Sequence, residues 1–114
     1  MTPSEVLPEF DLVQIQRFCK NRVPPQAAGR VRLEVEVRGR AATIFECRAP
    51  WAAAETEWSR LPVARLRQNK ADDLWRLYWA DRSGRWRLYP GVESAHVREL
   101  LDEVGRDPDG VFWG

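Results

Sequence analysis

The chain has 114 residues, 44% of them apolar and 31% charged, and its net charge is only +1. That length gives one domain enough interior for its own core, so residues 1–114 are expected to form a single compact domain. No apolar run approaches the roughly 18 residues that a membrane-spanning helix needs, and the near-neutral balance lacks the strong basic excess of dedicated nucleic-acid binders.

The opening residues, MTPSEVLPEF, carry neither a basic start nor an apolar signal segment. A cytoplasmic location with no membrane association is the expectation. Pro8 to Arg22 reads as a first helix, with Leu12, Ile15, Phe18 and Cys19 on one face. Val23-Pro24-Pro25 should end it, because the first proline disfavours helical geometry at Val23 and neither proline donates a backbone hydrogen bond. Val31 to Arg38 alternates strictly, with Val31, Leu33, Val35 and Val37 on one face and Arg32, Glu34, Glu36 and Arg38 on the other. This strand should turn at Gly39 and return as Ala41 to Arg48. A three-residue loop, Arg38 to Arg40, would set Leu33 opposite Phe45 and Arg32 opposite Glu46.

Residues 52 to 61 read as a connector containing Trp58 and Leu61, and Val63 to Arg67 as a third, short strand with Arg65 and Arg67 on one side. Leu74 to Tyr89 then forms a tryptophan-rich hairpin around Asp81-Arg82-Ser83-Gly84. Pairing Ala80 with Arg85 places Trp79 opposite Trp86 and Leu77 opposite Leu88, which predicts a core face of Trp75, Leu77, Trp79, Trp86 and Leu88. The other face would carry Arg76, Tyr78, Arg87 and Tyr89. After Pro90-Gly91, Ser94 to Val104 reads as a second helix, with Ser94 as N-cap, Val97, Leu100, Leu101 and Val104 facing inward, and Gly105 just past its end. Asp107-Pro108-Asp109-Gly110 is a turn, and Phe112-Trp113 should latch back onto the sheet. Cys19 and Cys47 fit neither a disulfide framework nor a CxxC pair, so both are expected to be reduced and buried.

Five phrases, VRLEVEVRGR (31–40), TIFECRAPW (43–51), PVARLR (62–67), LYWADRSGRW (77–86) and DPDGVFWG (107–114), together resemble a family of short bacterial proteins, domain of unknown function 3024. The likeness covers nearly the whole chain and implies one compact bacterial domain. It implies no activity, cofactor or catalytic residue.

The charge is unevenly placed. Residues 60–90 hold eight basic groups against three acidic ones (8 − 3 = +5), and residues 91–114 hold two against six (2 − 6 = −4). A basic sheet face and an acidic C-terminal segment follow, which either neutralise each other or face partners. The one histidine, His96, could join Glu99 and Glu103 on a helical face as metal ligands, although an ordinary solvated surface explains the three as well. No zinc spacing, nucleophile triad or phosphate-cradling loop is present, so no catalytic, cofactor or metal residue is assigned and no cofactor is expected.

The expected fold is α+β: a five-stranded antiparallel meander sheet flanked by an N-terminal and a C-terminal helix. Arg65, Arg67, Arg76, Tyr78, Arg85, Arg87 and Tyr89 form the candidate binding face. Its first reading is a non-catalytic protein-interaction or self-association module, with a protein partner or a second copy bound. Single-stranded nucleic-acid binding is the alternative, by stacking on the tyrosines and pairing with the arginines. An enzyme of unknown reaction ranks third.

Overall fold

A computed structural model describes residues 7–50 and 57–113. Helix α1 (Glu9–Arg22) is followed by a single 3₁₀ turn at Pro25–Ala27, then by strands β1 (Val31–Arg38), β2 (Ala41–Arg48), β3 (Ser59–Gln68), β4 (Trp75–Ala80) and β5 (Trp86–Ser94), and by helix α2 (Val97–Arg106). The strands form one antiparallel sheet in the order β1-β2-β3-β4-β5, with each strand beside its neighbour in sequence. The fold is therefore the expected α+β meander flanked by two helices. No helix among the described residues is long and apolar enough to cross a membrane.

Both helices lie on one face of the sheet. α1 carries Glu9 and Asp11 in its first turn and Lys20 and Arg22 in its last, each complementing the helix dipole, and it buries Ile15 and Cys19. α2 buries Val97, Leu100, Leu101 and Val104, the four residues that periodicity singles out. Between helices and sheet lie Ile44, Ala64, Leu66, Trp75 and Leu77, each fully buried. The indole N–H of Trp75 closes no hydrogen bond of good geometry. Beside it, the Asp11 carboxyl is pushed above its ordinary pKa by burial, against opposing effects of the Trp75 N–H and His96. Both cysteines are free and buried, and burial pushes the Cys19 thiol up to about 12.

Turn chemistry shifts both hairpins by one residue from the pairing read in the sequence. Gly39 (φ 57°) and Arg40 form a two-residue turn, so Arg38 pairs with Ala41, Leu33 with Glu46 and Val35 with Ile44. Glycine at the first central position with positive φ suits such a turn. β2 tolerates the shift because it is apolar on both faces, with Ala42 and Ile44 toward the helices and Phe45 and Cys47 away from them. In the second hairpin the Asp81 N–H donates to the Arg85 carbonyl (2.9 Å) and Gly84 adopts φ 83°. Ala80 consequently pairs with Trp86, Tyr78 with Leu88 and Leu77 with Tyr89. A one-residue slip exchanges the faces of a strand. Tyr89 thus enters the core, while Trp86 and Leu88 leave the predicted core set for the opposite face.

Three boundaries also differ. β3 begins at Ser59, inside the expected connector, and accommodates Pro62 where the β2 register shifts between Ile44 and Phe45. A bulge lets a central strand hold a residue that cannot donate. β5 continues through Pro90-Gly91 to Ser94, with five of its residue steps (94 − 89) spanning two of β4 (77 − 75). α2 starts after His96 rather than Ser94, whose hydroxyl instead accepts the His96 N–H (3.0 Å), and it runs on through Gly105 to Arg106.

Gly105 is therefore an interior helical residue. A Cβ there would sit 3.5 Å from the Phe18 ring, an ordinary contact across the α1–α2 interface. Gly105→Ala is expected to stabilise the fold by about 0.5–1 kcal/mol, read as a higher urea midpoint at unchanged slope. The left-handed position ending the helix belongs to Asp107 (φ 45°). Its carboxylate accepts the backbone N–H groups of Val111 (2.8 Å), Phe112 (3.1 Å) and Trp113 (3.1 Å). This folds the tail back, with the buried Phe112 against Tyr89 of the sheet as expected (ring centres 5.2 Å apart), but Trp113 docks on the helices instead: its indole donates to the Val104 carbonyl (2.7 Å) beneath the Arg22 guanidinium.

Candidate interaction face

With both helices on one side, the other side of the sheet is crossed by no described helix. Alternation and register place on it Arg32, Glu34, Glu36 and Arg38 of β1, Thr43, Phe45 and Cys47 of β2, Arg60, Arg65 and Arg67 of β3, Arg76 and Tyr78 of β4, and Trp86 and Leu88 of β5. The acidic α2 lies on the opposite side, so it does not neutralise these arginines.

The face has two halves. Over β1 and β2, charges pair: Arg32 with Glu34 (3.0 Å), Arg38 with Glu36 (3.2 Å), and Arg60 with both Glu34 (3.4 Å) and Glu36 (3.5 Å). Beneath them the Arg60 guanidinium lies 3.6 Å from the Phe45 ring centre and that of Arg32 lies 4.3 Å from the Trp58 ring centre. Exposed pairs of this kind contribute about 0–1 kcal/mol each, and they make this half a closed, self-satisfied surface.

Over β3, β4 and β5 the balance is different. Arg65 donates from Nε to the Thr43 hydroxyl (3.0 Å) and stacks on Trp86 at 4.5 Å. Among the described residues neither Arg65 nor Arg67 is paired with a carboxylate. Arg76 is held by Asp72, bidentate at 2.9 and 3.3 Å, and this contact lowers the Asp72 pKa. Leu88, directly opposite Tyr78, is 46% exposed. An uncompensated pair of arginines thus borders an exposed apolar patch of Trp86, Leu88 and the half-buried Tyr78.

Of the seven residues expected from the sequence, Arg65, Arg67, Arg76 and Tyr78 share this half. Arg85 lies in the hairpin loop, where its backbone N–H donates to Asp81 (2.9 Å). Arg87 and Tyr89 face the helices. Arg87 Nε donates to Asp81 (2.7 Å), whose carboxyl is held well below the ordinary range by hydrogen bonds from the Ser83 hydroxyl and from Arg87. The Tyr89 hydroxyl donates to Glu103 (2.7 Å) and lies 3.1 Å from Asp109. Those carboxylates push the tyrosine pKa up, and the tyrosine hydrogen bond lowers that of Glu103. Trp86, Leu88 and Thr43 were missed by sequence reasoning. The signal for Trp86 and Leu88 was the Asp81-to-Gly84 loop, since glycine in the left-handed position after a turn specifies the shifted register, and for Thr43 it was the Gly39-Arg40 turn, which sets the faces of β2.

Glu103 is engaged by Tyr89 and Arg106, and His96, Glu99 and Glu103 do not converge. Among the described residues no cluster of three or more His, Cys, Asp or Glu side chains could hold a metal ion. Trp58 is half-buried under Arg32. Trp51 lies outside the described residues.

The geometry defines a class: a small α+β meander with two helices on one sheet face and an arginine-rich, partly apolar face left open. Residues 3–114 match the family described as Domain of unknown function (DUF3024), and the chain belongs to that family. No curated protein and no solved structure matches it.

Proposed function

We propose that the protein is a non-catalytic interaction module that binds a partner protein through the half of the open face over β3, β4 and β5. The observation that carries this reading is the juxtaposition of Arg65 and Arg67, unpaired with any carboxylate among the described residues, and the exposed Leu88 beside Trp86. Arginine and aromatic residues beside an apolar patch make a typical interface centre. Charge complementarity selects the partner: six arginines (Arg32, Arg38, Arg60, Arg65, Arg67 and Arg76) outnumber Glu34, Glu36 and Asp72 on and beside this face. The partner should present carboxylates around an apolar side chain.

Single-stranded nucleic acid is the second reading, favoured by the guanidinium groups beside Trp86 and Tyr78. Against it, Arg65 already occupies a face of the Trp86 ring, so a stacking base would have to displace it, forfeiting about 0.5–1 kcal/mol. The two readings separate by calorimetry with two probes, a synthetic acidic peptide carrying leucine and phenylalanine, and an unstructured single-stranded DNA. The protein reading expects peptide binding that weakens by about tenfold or more in Arg65→Glu/Arg67→Glu. Tighter binding of DNA than of peptide, or peptide binding indifferent to the two substitutions, would overturn it.

A further inference from the structure

Among the described residues the edge strands of the sheet are β1 and β5. Edge strands are commonly protected from pairing with other chains by proline, bulges or short length. β5 has such protection, with Pro90 and Gly91 (φ 89°) inside its irregular stretch. β1 has none of these three: it is eight extended residues without proline or glycine, in unbroken register with β2, and the charges it carries, Arg32, Glu34, Glu36 and Arg38, are of mixed sign.

The turn at Gly39-Arg40 fixes which backbone groups face outward. Residues flanking a two-residue turn form a hydrogen-bonded pair, and antiparallel ladders alternate. Arg38, Glu36, Glu34 and Arg32 therefore direct their N–H and C=O groups to β2, and Val37, Val35, Leu33 and Val31 direct theirs outward. Among the described residues these outward groups have no backbone partner. A groove of about 600 Å³ runs beside them between α1 and β1, lined by Val23, Pro25, Val31, Leu33 and Val35 among others and by no residue of β2.

We propose that β1 pairs with β1 of a second copy, antiparallel about a two-fold axis at Leu33, giving one ten-stranded sheet. The sequence selects this register. With the axis at Leu33, Leu33 faces its own counterpart, Val31 faces Val35, Arg32 faces Glu34 and Arg30 faces Glu36, so every charged pair is opposite in sign. An axis at Arg32, Glu34 or Glu36 sets that residue against itself, one at Val31 sets Arg30 against Arg32, and one at Val35 sets Arg32 against Arg38 and Glu34 against Glu36. An axis at Val37 keeps opposite signs but drives the ladder into the left-handed Gly39. Like charges directly opposite are destabilising in a sheet. The inference concerns the sheet edge and does not rest on the reading of the open face.

Sedimentation of the intact chain and of the variants Arg32→Glu and Glu34→Lys tests it. The wild-type chain should dimerise reversibly. Each variant alone should dimerise about tenfold more weakly, since two opposite pairs become two like pairs. An equimolar mixture of the two variants should regain wild-type affinity, because each copy then offers the other an opposite charge at both positions. A wild-type chain that stays monomeric, or a mixture that does not recover, overturns the proposal. A second measurement needs no variant: amide exchange at Val31, Leu33 and Val35 should slow as wild-type concentration rises, and exchange independent of concentration would contradict the pairing.

Discussion

Replacing Trp75 with alanine is expected to destabilise the fold by about 3–5 kcal/mol, a large share of the roughly 5–15 kcal/mol available to a typical domain. Among the described residues Trp75 is the largest fully buried side chain, packed in the core between the helices and the sheet. The informative comparison is Trp86→Ala. On the open face Trp86 is half-buried and its main distinctive contact is the Arg65 stack, so its loss should cost about 1 kcal/mol. Had the hairpin closed with Ala80 opposite Arg85, both tryptophans would be core residues and both substitutions would be comparably severe. Urea unfolding of the two variants therefore measures the register of β4 and β5 as well as the core.

Asp107→Ala is expected to cost about 2–4 kcal/mol. One carboxylate holds three consecutive backbone N–H groups, and a hydrogen bond to a charged group contributes about 1.5–3 kcal/mol, with incomplete additivity for three sharing one acceptor. The left-handed backbone at Asp107 adds about 1–2 kcal/mol of strain for alanine. Asp107→Gly removes the carboxylate but suits the backbone, and Asp107→Asn tolerates the backbone and keeps one carbonyl acceptor. The expected order of urea midpoints is wild type, then Asn, then Gly, then Ala. An alanine variant as stable as wild type would mean that the Phe112-Trp113 latch holds without its Asp107 anchor.

What the sequence made legible was whatever depends on periodicity. The alternation over Val31–Arg38 located β1 to the residue, and the spacing of Val97, Leu100, Leu101 and Val104 gave the buried face of α2. What it hid depends on single turns. Apolar residues on both faces of β2 made two registers comparably good, and tryptophan beside leucine in both hairpin strands allowed an attractive pairing that Asp81 and Gly84 override. That one-residue difference divided the candidate site. Arg65, Arg67, Arg76 and Tyr78 share one sheet face in either register, because they lie on β3 and β4, upstream of the turn. Arg87 and Tyr89 lie beyond it, so they exchanged places with Trp86 and Leu88. Likewise Gly105 looks like a helix stop by residue type, but Asp107 takes the left-handed position because its carboxylate gains three donors there.

The most direct test is to follow backbone amide and indole resonances while adding the acidic, leucine- and phenylalanine-bearing peptide. The open-face account predicts that shifts concentrate at Thr43, Arg65, Arg67, Tyr78, Trp86 and Leu88 and leave Val97–Val104 of α2 unmoved. Shifts that concentrate on α2 and the adjoining Tyr89 and Glu103, with the open face silent, would contradict it.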